Sequence, residues 1–354
     1  MLISSLTVID LSTVLAGPSV GMFFAELGAK VIKIEHPLNK DVTRSWKQSD
    51  ESVENLSSYF SSINYKKSYL SLNLLDPVQR IEFDDLLETA DVLISNFKRE
   101  DYLKFQLTKS DLRKKYPSLI HAKISGFGET SDRVAYDLIL QAETGFMSMN
   151  GTEESGPVKM PVALVDVLAA HQLKEAILIA LLQRTTSGKG SEVHVSLYNA
   201  AISSLINQAS SFLMNNNVPK RIGSLHPSIA PYGEIFQTKD GAFLTFAIGS
   251  DRQFQKLLVK LGLNEFINDH HYKTNKLRVQ HRKQLFELLN NKLKEFDSQE
   301  LLDWSEFENV PCGKIKSLNE VFDGVEAQRL VRTENIDGTE TKRVTSIAFN
   351  SSSF

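Results

Sequence analysis

With 354 residues, 42% of them apolar, the chain has material for one large globular domain or two ordinary ones. Its 40 Lys and Arg against 43 Asp and Glu leave a net charge of −3, so nothing general favours nucleic acid or an anionic membrane; a local basic pocket for a small phosphorylated ligand stays open. The single cysteine, Cys312, excludes an intrachain disulfide and thiolate-built metal sites, and it suits a reducing compartment.

Met1–Asp10 lacks a basic n-region and does not read as a signal peptide. Apolar runs such as Ala176–Leu182 fall far short of the roughly 20 residues of a spanning helix, so a soluble, cytoplasmic protein is expected. The first third alternates short apolar strands with amphipathic helices, the pattern of a doubly wound α/β domain. Leu6–Leu11 reads as a strand, Pro18–Leu27 as a helix closed by Gly28, and Lys30–Glu35 as the next strand. Ser68–Leu74 and Asp91–Phe97 are further strands around a helix over Asp76–Thr89, where Asp76 and Pro77 match N-cap and N1 preferences. Leu119–Ile124 continues the sheet into a Ser-Gly-Phe-Gly loop at a strand's carboxyl end, where open α/β sheets bind ligands. Two helices follow, Tyr136–Ser148 and Val162–Arg184, then a strand over Ser191–Ser196 and an apolar helix through Leu213.

Asn215–Pro231, with its Asn run, prolines and Gly223, reads as a linker. Beyond it come a hairpin over Gly233–Ile248 turning at Asp240-Gly241, and helices at Asp251–Leu261 and Leu277–Phe296. The organisation expected is a Rossmann-like large domain over residues 1–214, completed by about 310–354, with a linker at 215–232 and a smaller α+β domain at 233–309.

No Gly-x-Gly-x-x-Gly follows the first strand, and Ser187–Ser191 lacks the spacing of a P-loop, so neither nicotinamide nor nucleoside triphosphate chemistry is indicated. The Asp269-His270-His271 cluster has poor metal spacing and reads as a solvated loop; no metal is expected. Cys312 has no activating partner in the sequence and reads as a small core residue. The outlier is Asp166, a lone acid inside Val162–Ala170, which is otherwise apolar on every helical face. A carboxylate there must find donors, be protonated or face a cleft, so it is either a functional acid or a partnered structural one.

A set of short motifs occurs in one order along the chain: Val14-Leu15-Ala16-Gly17-Pro18, Leu27-Gly28-Ala29-Lys30-Val31-Ile32-Lys33-Ile34-Glu35, Asn64-x-x-Lys67-Ser68 with Leu72-Asn73-Leu74, Ala90-Asp91-Val92-Leu93 with Asn96-Phe97, Ser125-Gly126-Phe127-Gly128, Ser187-Gly188-Lys189-Gly190, His226-Pro227 and Pro311-Cys312-Gly313. This set resembles the family III CoA-transferases, of the CaiB/BaiF and formyl-CoA transferase type, over essentially the whole chain. The resemblance implies that Asp166 is the nucleophile and that Val14, Ala16, His36, Leu72, Leu75, Asn96, Phe97, Lys104 and Tyr136 hold coenzyme A. It implies an acyl-CoA and a small carboxylic acid as substrates, with no nicotinamide or metal. It also implies an interlocked-ring homodimer, with no nucleic-acid or membrane partner.

Departures bear on specificity. Leu15 and His36 stand where the formyl enzymes carry Gln and Arg, and Leu75 and Val134 stand where lysines are expected, which argues against formyl and oxalyl substrates. The related α-methylacyl-CoA racemases use a His-Asp pair where this chain has Tyr136-Asp137. A phenol, with an ordinary pKa of about 10, is a poor substitute for imidazole in taking an α-proton. Transferase is therefore preferred over racemase, with a non-catalytic CoA-binding homologue as the remaining alternative.

Overall fold

The computed structural model describes residues 3–52 and 56–350, so Met1, Leu2 and the last four residues of the expected segments lie outside it. The chain forms two compact units: residues 1–149, 158–219 and 329–354 make the first, and 150–157 with 220–328 the second.

The first unit is built on six parallel strands, β1 (Thr7–Asp10), β2 (Lys30–Glu35), β3 (Lys67–Ser71), β4 (Val92–Ser95), β5 (Ile120–Ser125) and β6 (Glu192–Ser196), in the order β3-β2-β1-β4-β5-β6. The order reverses between β1 and β4, which is the doubly wound arrangement read from the sequence. The central strands are apolar in runs because helices cover both faces. On one face Ala16–Glu26 and Leu164–Ser187 bury Val20, Phe24, Leu173 and Ile177. On the other, Pro77–Glu88 and Lys109–Lys115 bury Phe83, Leu87 and Leu112. Punctuation falls where the residues dictate: Asp76 accepts the N–H groups of Val78 and Gln79, and Gly28 and Gly188 take the positive φ that closes a helix.

Two helices expected as continuous are broken. Tyr136–Ser148 divides into Asp137–Glu143 and Phe146–Met149, because Gly145 sits at φ +92° and ends the first piece. The segment after β6 divides into Leu197–Ser203 and Ile206–Asn215.

The second unit is a three-stranded antiparallel sheet, β7 (Tyr232–Gln237), β8 (Phe243–Ala247) and β9 (Cys312–Lys314), with the turn at Asp240-Gly241 as the sequence indicates. Its core joins Phe236 and Phe246 to Leu257, Leu289 and Leu301 of the surrounding helices. The expected helix Leu277–Phe296 is two, Asn275–Gln280 and Arg282–Leu293. Because β9 pairs with β8, the chain rejoins the first unit at residue 329 rather than near 310. There the hairpin of β10 (Val331–Ile336) and β11 (Thr339–Val344) is anchored by Glu334, which accepts the Lys66 N–H at 3.0 Å. Among the described residues no helix is long and apolar enough to cross a membrane.

Beneath the loop that follows β1 lies a buried ionic network. Lys67 Nζ donates to Asp10 Oδ2, to the Pro18 carbonyl and to Asn64 Oδ1, each at 2.8 Å. Asp10 Oδ1 also accepts the N–H and hydroxyl of Ser12. Lys33 Nζ donates to the Ser12 carbonyl at 2.7 Å and pairs with Asp41 at 3.1 Å. Two glycines make room for it: a Cβ on Gly17 would lie 2.2 Å from Ser12 Oγ, and one on Gly21 would lie 2.9 Å from Asp10 Oδ2. Lys67→Met should therefore leave Asp10 short of its main counter-charge and cost about 3–5 kcal/mol in denaturant unfolding. The Asp10→Asn/Lys67→Met double variant should recover part of that loss, and equal losses in both would refute the pairing.

Candidate active site

A cleft of about 370 Å³ opens at the carboxyl ends of β1, β4 and β5, beside the reversal in strand order. Thr13 and Val14 of the first loop, Asn96 and Phe97 after β4, and Ser125, Gly126 and Tyr136 beyond β5 line it. Asn96 fixes the first loop, its Oδ1 accepting the Thr13 N–H at 3.1 Å and its Nδ2 donating to the Thr13 carbonyl at 2.9 Å. Val14, next along, is held at φ +74°, a left-handed conformation that a β-branched residue rarely adopts, and its N–H points to Asp41 Oδ1 at 3.3 Å. Lys98, Arg99, Lys123 and Arg133 line the walls together with Glu129 and Asp132, and Arg133 Nη1 donates to Glu143 at 2.7 Å. Lys123 is paired with Glu129 at 2.7 Å and Arg99 with Asp132 at 3.5 Å.

Asp166 occupies the first turn of Leu164–Ser187 and is 7% exposed. Among the described residues nothing donates a hydrogen bond to its carboxylate. Burial, and after it the nearby charge of Asp137, push its pKa up to about 7. Asp137 is itself fully engaged: Oδ1 accepts the Val165 N–H at 2.8 Å and Oδ2 accepts from Gln141 Nε2 at 2.7 Å. Tyr59 belongs to the same neighbourhood, since burial followed by the charges of Asp166, Asp137 and Asp41 raises its phenol to about 12. Its ring stands edge-on to Trp46 at 5.2 Å.

Of the residues assigned to the site from sequence, Val14, Asn96, Phe97 and Tyr136 share the cleft. Ala16 is buried in the first turn of its helix, and Leu72 is in the core. His36 folds onto its own loop, where Nδ1 accepts the N–H groups of Leu38 and Asn39 at 3.1 Å. Leu75 is exposed, and Lys104 lies 5.6 Å over the Phe105 ring; neither lines the cleft. Asp166 is not a lining residue either, but its neighbour Asp137 directly follows Tyr136, which is. Tyr59, Trp46 and Asp41 escaped the sequence reading, and Asp137 entered it only as the counterpart of the racemase acid. In the second unit, Asp269 Oδ1 accepts both the His271 N–H at 2.7 Å and its Nδ1–H at 3.0 Å, which ties that cluster together internally.

The fold and cleft define a doubly wound α/β protein with a ligand site at its switch point. The sequence matches CoA-transferase family III over residues 3–353, and the chain belongs to that family. It is 37% identical to the succinate–glutarate CoA-transferase of Agrobacterium fabrum, over 95% of this chain and 86% of that protein. It is 36% identical to the succinyl-CoA:glutarate CoA-transferase of Mus musculus, over 89% of this chain and 72% of that one. A CaiB/BaiF family protein from Brucella suis superposes with a TM-score of 0.86 at 33% identity, covering 98% of this chain and 92% of the other.

The raised pKa of Asp166 has a consequence for stability. An unfolded Asp titrates at about 3.9 and the folded one at about 7, so between these values the folded state binds the extra proton. Stability supplied by the neutral acid is thus lost as pH rises through that window. Asp166→Asn should match the wild type at pH 4 and be more stable at pH 8, by an amount on the order of 2–4 kcal/mol. Denaturation midpoints of both proteins at the two pH values test this; a constant gap would contradict it.

Proposed function

We propose that this protein transfers coenzyme A from an acyl-CoA thioester to a carboxylic acid, with Asp166 as nucleophile, and that it works as a cytoplasmic homodimer. The observation that carries the reading is a buried carboxylate that, among the described residues, has no hydrogen-bond donor, close to the cleft, in a chain of this family. The names of the two relatives pair succinate or succinyl-CoA with glutarate, so four- and five-carbon dicarboxylic acids are the first substrates to test.

In the reaction, ionised Asp166 attacks the acyl carbon; a C–O bond forms, the C–S bond breaks and CoA leaves as thiolate. The thiolate then attacks the Asp166 carbonyl of this mixed anhydride, releasing the donor acid and leaving an aspartyl-CoA thioester. The acceptor carboxylate attacks that thioester, again expelling thiolate. Attack of the thiolate on the acceptor's acyl carbon completes the new acyl-CoA and restores Asp166. Each intermediate is hydrolysable, so the poor solvation of Asp166 serves to keep water away. The same surroundings leave the attacking carboxylate without the hydrogen bonds that would blunt it. Backbone N–H groups of the Ser125–Gly128 loop supply oxyanion donors, and Lys98 and Arg99 suit the phosphates of CoA. Tyr136, at the cleft wall, orients the acyl group.

Dimer formation is supported by apolar side chains left in water on the first unit, among them Leu213, 77% exposed, and Met214, 79% exposed. Sedimentation at micromolar concentration should give a dimer, and a folded monomer would count against it.

Incubation with succinyl-CoA should label Asp166, trappable with hydroxylamine and located by mass. The label should rise as pH passes about 7, where the carboxylate ionises. Asp166→Ala should abolish it and reduce transfer to glutarate about 10³-fold or more. Exchange of the substrate α-proton for deuterium without transfer would indicate racemase chemistry instead, and CoA binding with neither reaction would indicate a non-catalytic homologue.

A further inference from the structure

One buried titratable pair takes no part in this chemistry. His121 of β5 and Glu192 of β6 are register partners, with Nδ1 and Oε2 3.6 Å apart. His121 is 3% exposed, and its Nε2 lies 2.9 Å from Ser95 Oγ, which in turn lies 3.0 Å from the Tyr102 hydroxyl. His121 Nε2 and the Ser95 hydroxyl share one hydrogen bond, and Glu192 is the partner of the buried Nδ1, in a long contact rather than a close hydrogen bond.

His121 and Glu192 line a second cavity of about 370 Å³, separate from the active-site cleft. Its other walls carry Lys109, Arg113 and Lys189, and among the described residues none of these three cations has an ion-pair partner. Leu112, Tyr116 and Leu119 add an apolar surface. The cavity has a fixed shape. Gly190 N–H bonds the Pro117 carbonyl at 2.8 Å, and a Cβ on Gly190 would lie 1.9 Å from the Leu119 carbonyl oxygen, so this wall is pressed against the loop before β5. Arg184 fastens that loop from behind through the Ser118 carbonyl at 3.1 Å. Glu192, the acid in this lining, is 3.5 Å from Lys123 and also feels the charge of Lys109, so it offsets part of the cationic charge.

We propose that this cavity binds a small organic phosphate, with Lys109, Arg113 and Lys189 facing the phosphate and the apolar wall facing its organic part. The three cations outnumber the Glu192 carboxylate in the lining, and the apolar wall gives an organic ester an advantage over inorganic phosphate.

Phenyl phosphate serves as the probe, titrated calorimetrically into the full-length protein at an ionic strength held constant with KCl, with and without saturating CoA. One saturable site per chain is expected, indifferent to CoA and tighter than for inorganic phosphate. Arg113→Ala and Lys189→Ala, both exposed positions, should each weaken it about tenfold or more with unchanged melting temperature, whereas Lys98→Ala in the cleft should not. Tighter binding of inorganic phosphate would overturn the organic part of the assignment, and tighter binding of benzoate would overturn the phosphate part. Competition by CoA, or indifference to Arg113→Ala and Lys189→Ala, would place the heat elsewhere and overturn the site.

Discussion

The Lys67–Asp10 contact, with Lys33–Asp41 beside it, is the constraint on which the first loop depends. All four side chains are fully withdrawn from water, an arrangement that in isolation costs as much as it returns. It persists because each charge has further partners: Lys67 holds the Pro18 carbonyl and Asn64, Lys33 the Ser12 carbonyl, and Asp41 the Thr43 N–H and hydroxyl. These extra bonds all end on the loop after β1 or on segments touching it. The network therefore specifies where Leu11–Pro18 runs, and with Asn96 it can hold Val14 in a conformation worth about 1–3 kcal/mol of strain.

Two buried carboxylates in this unit show how neighbours decide chemistry. For Asp10 burial is the largest influence and would raise its pKa, yet the ammonium groups of Lys67 and Lys33 together outweigh it and hold the acid below its ordinary value. Asp166 is buried likewise, but among the described residues the charge acting on it is that of another acid, so burial and Asp137 together push its pKa up to about 7. The first carboxylate is spent on structure. The second is kept poorly solvated and unbonded, near the pH at which it can be either proton carrier or nucleophile.

The sheet was legible because its strands are buried on both faces and read as apolar runs, and because Asp76-Pro77 and Gly28 mark helix ends by local chemistry that tertiary contacts do not override. The breaks at Gly145 and before Ile206 were not, since the apolar periodicity carries across both. In the site, Asp166 was legible as an acid in greasy surroundings. His36, Leu72, Leu75 and Lys104 came by resemblance alone, and the structure finds them on a self-bonded loop, in the core and at the surface. The neighbours of Asp166 were out of reach, because folding is what brings Tyr59 and Asp137 near it.

What frees Asp166 is the way its helix is capped. An acid at the third helical position ordinarily reaches back to the N-cap N–H, as in a capping box. Here the N-cap is Ala163, which has no side-chain acceptor, and the Val165 N–H is taken instead by Asp137 from a different helix. Gln141 steadies Asp137 and also accepts the Met160 N–H at 2.8 Å, so the segment leading into the helix is fixed by the same pair. Asp137 thus supplies the cap that Ala163 lacks, and among the described residues the Asp166 carboxylate holds no hydrogen bond. Burial, and after it the charge of Asp137, keep the acid from ionising at its ordinary pKa, so Asp137 both caps the helix and adds to the tuning of the acid that stands on it.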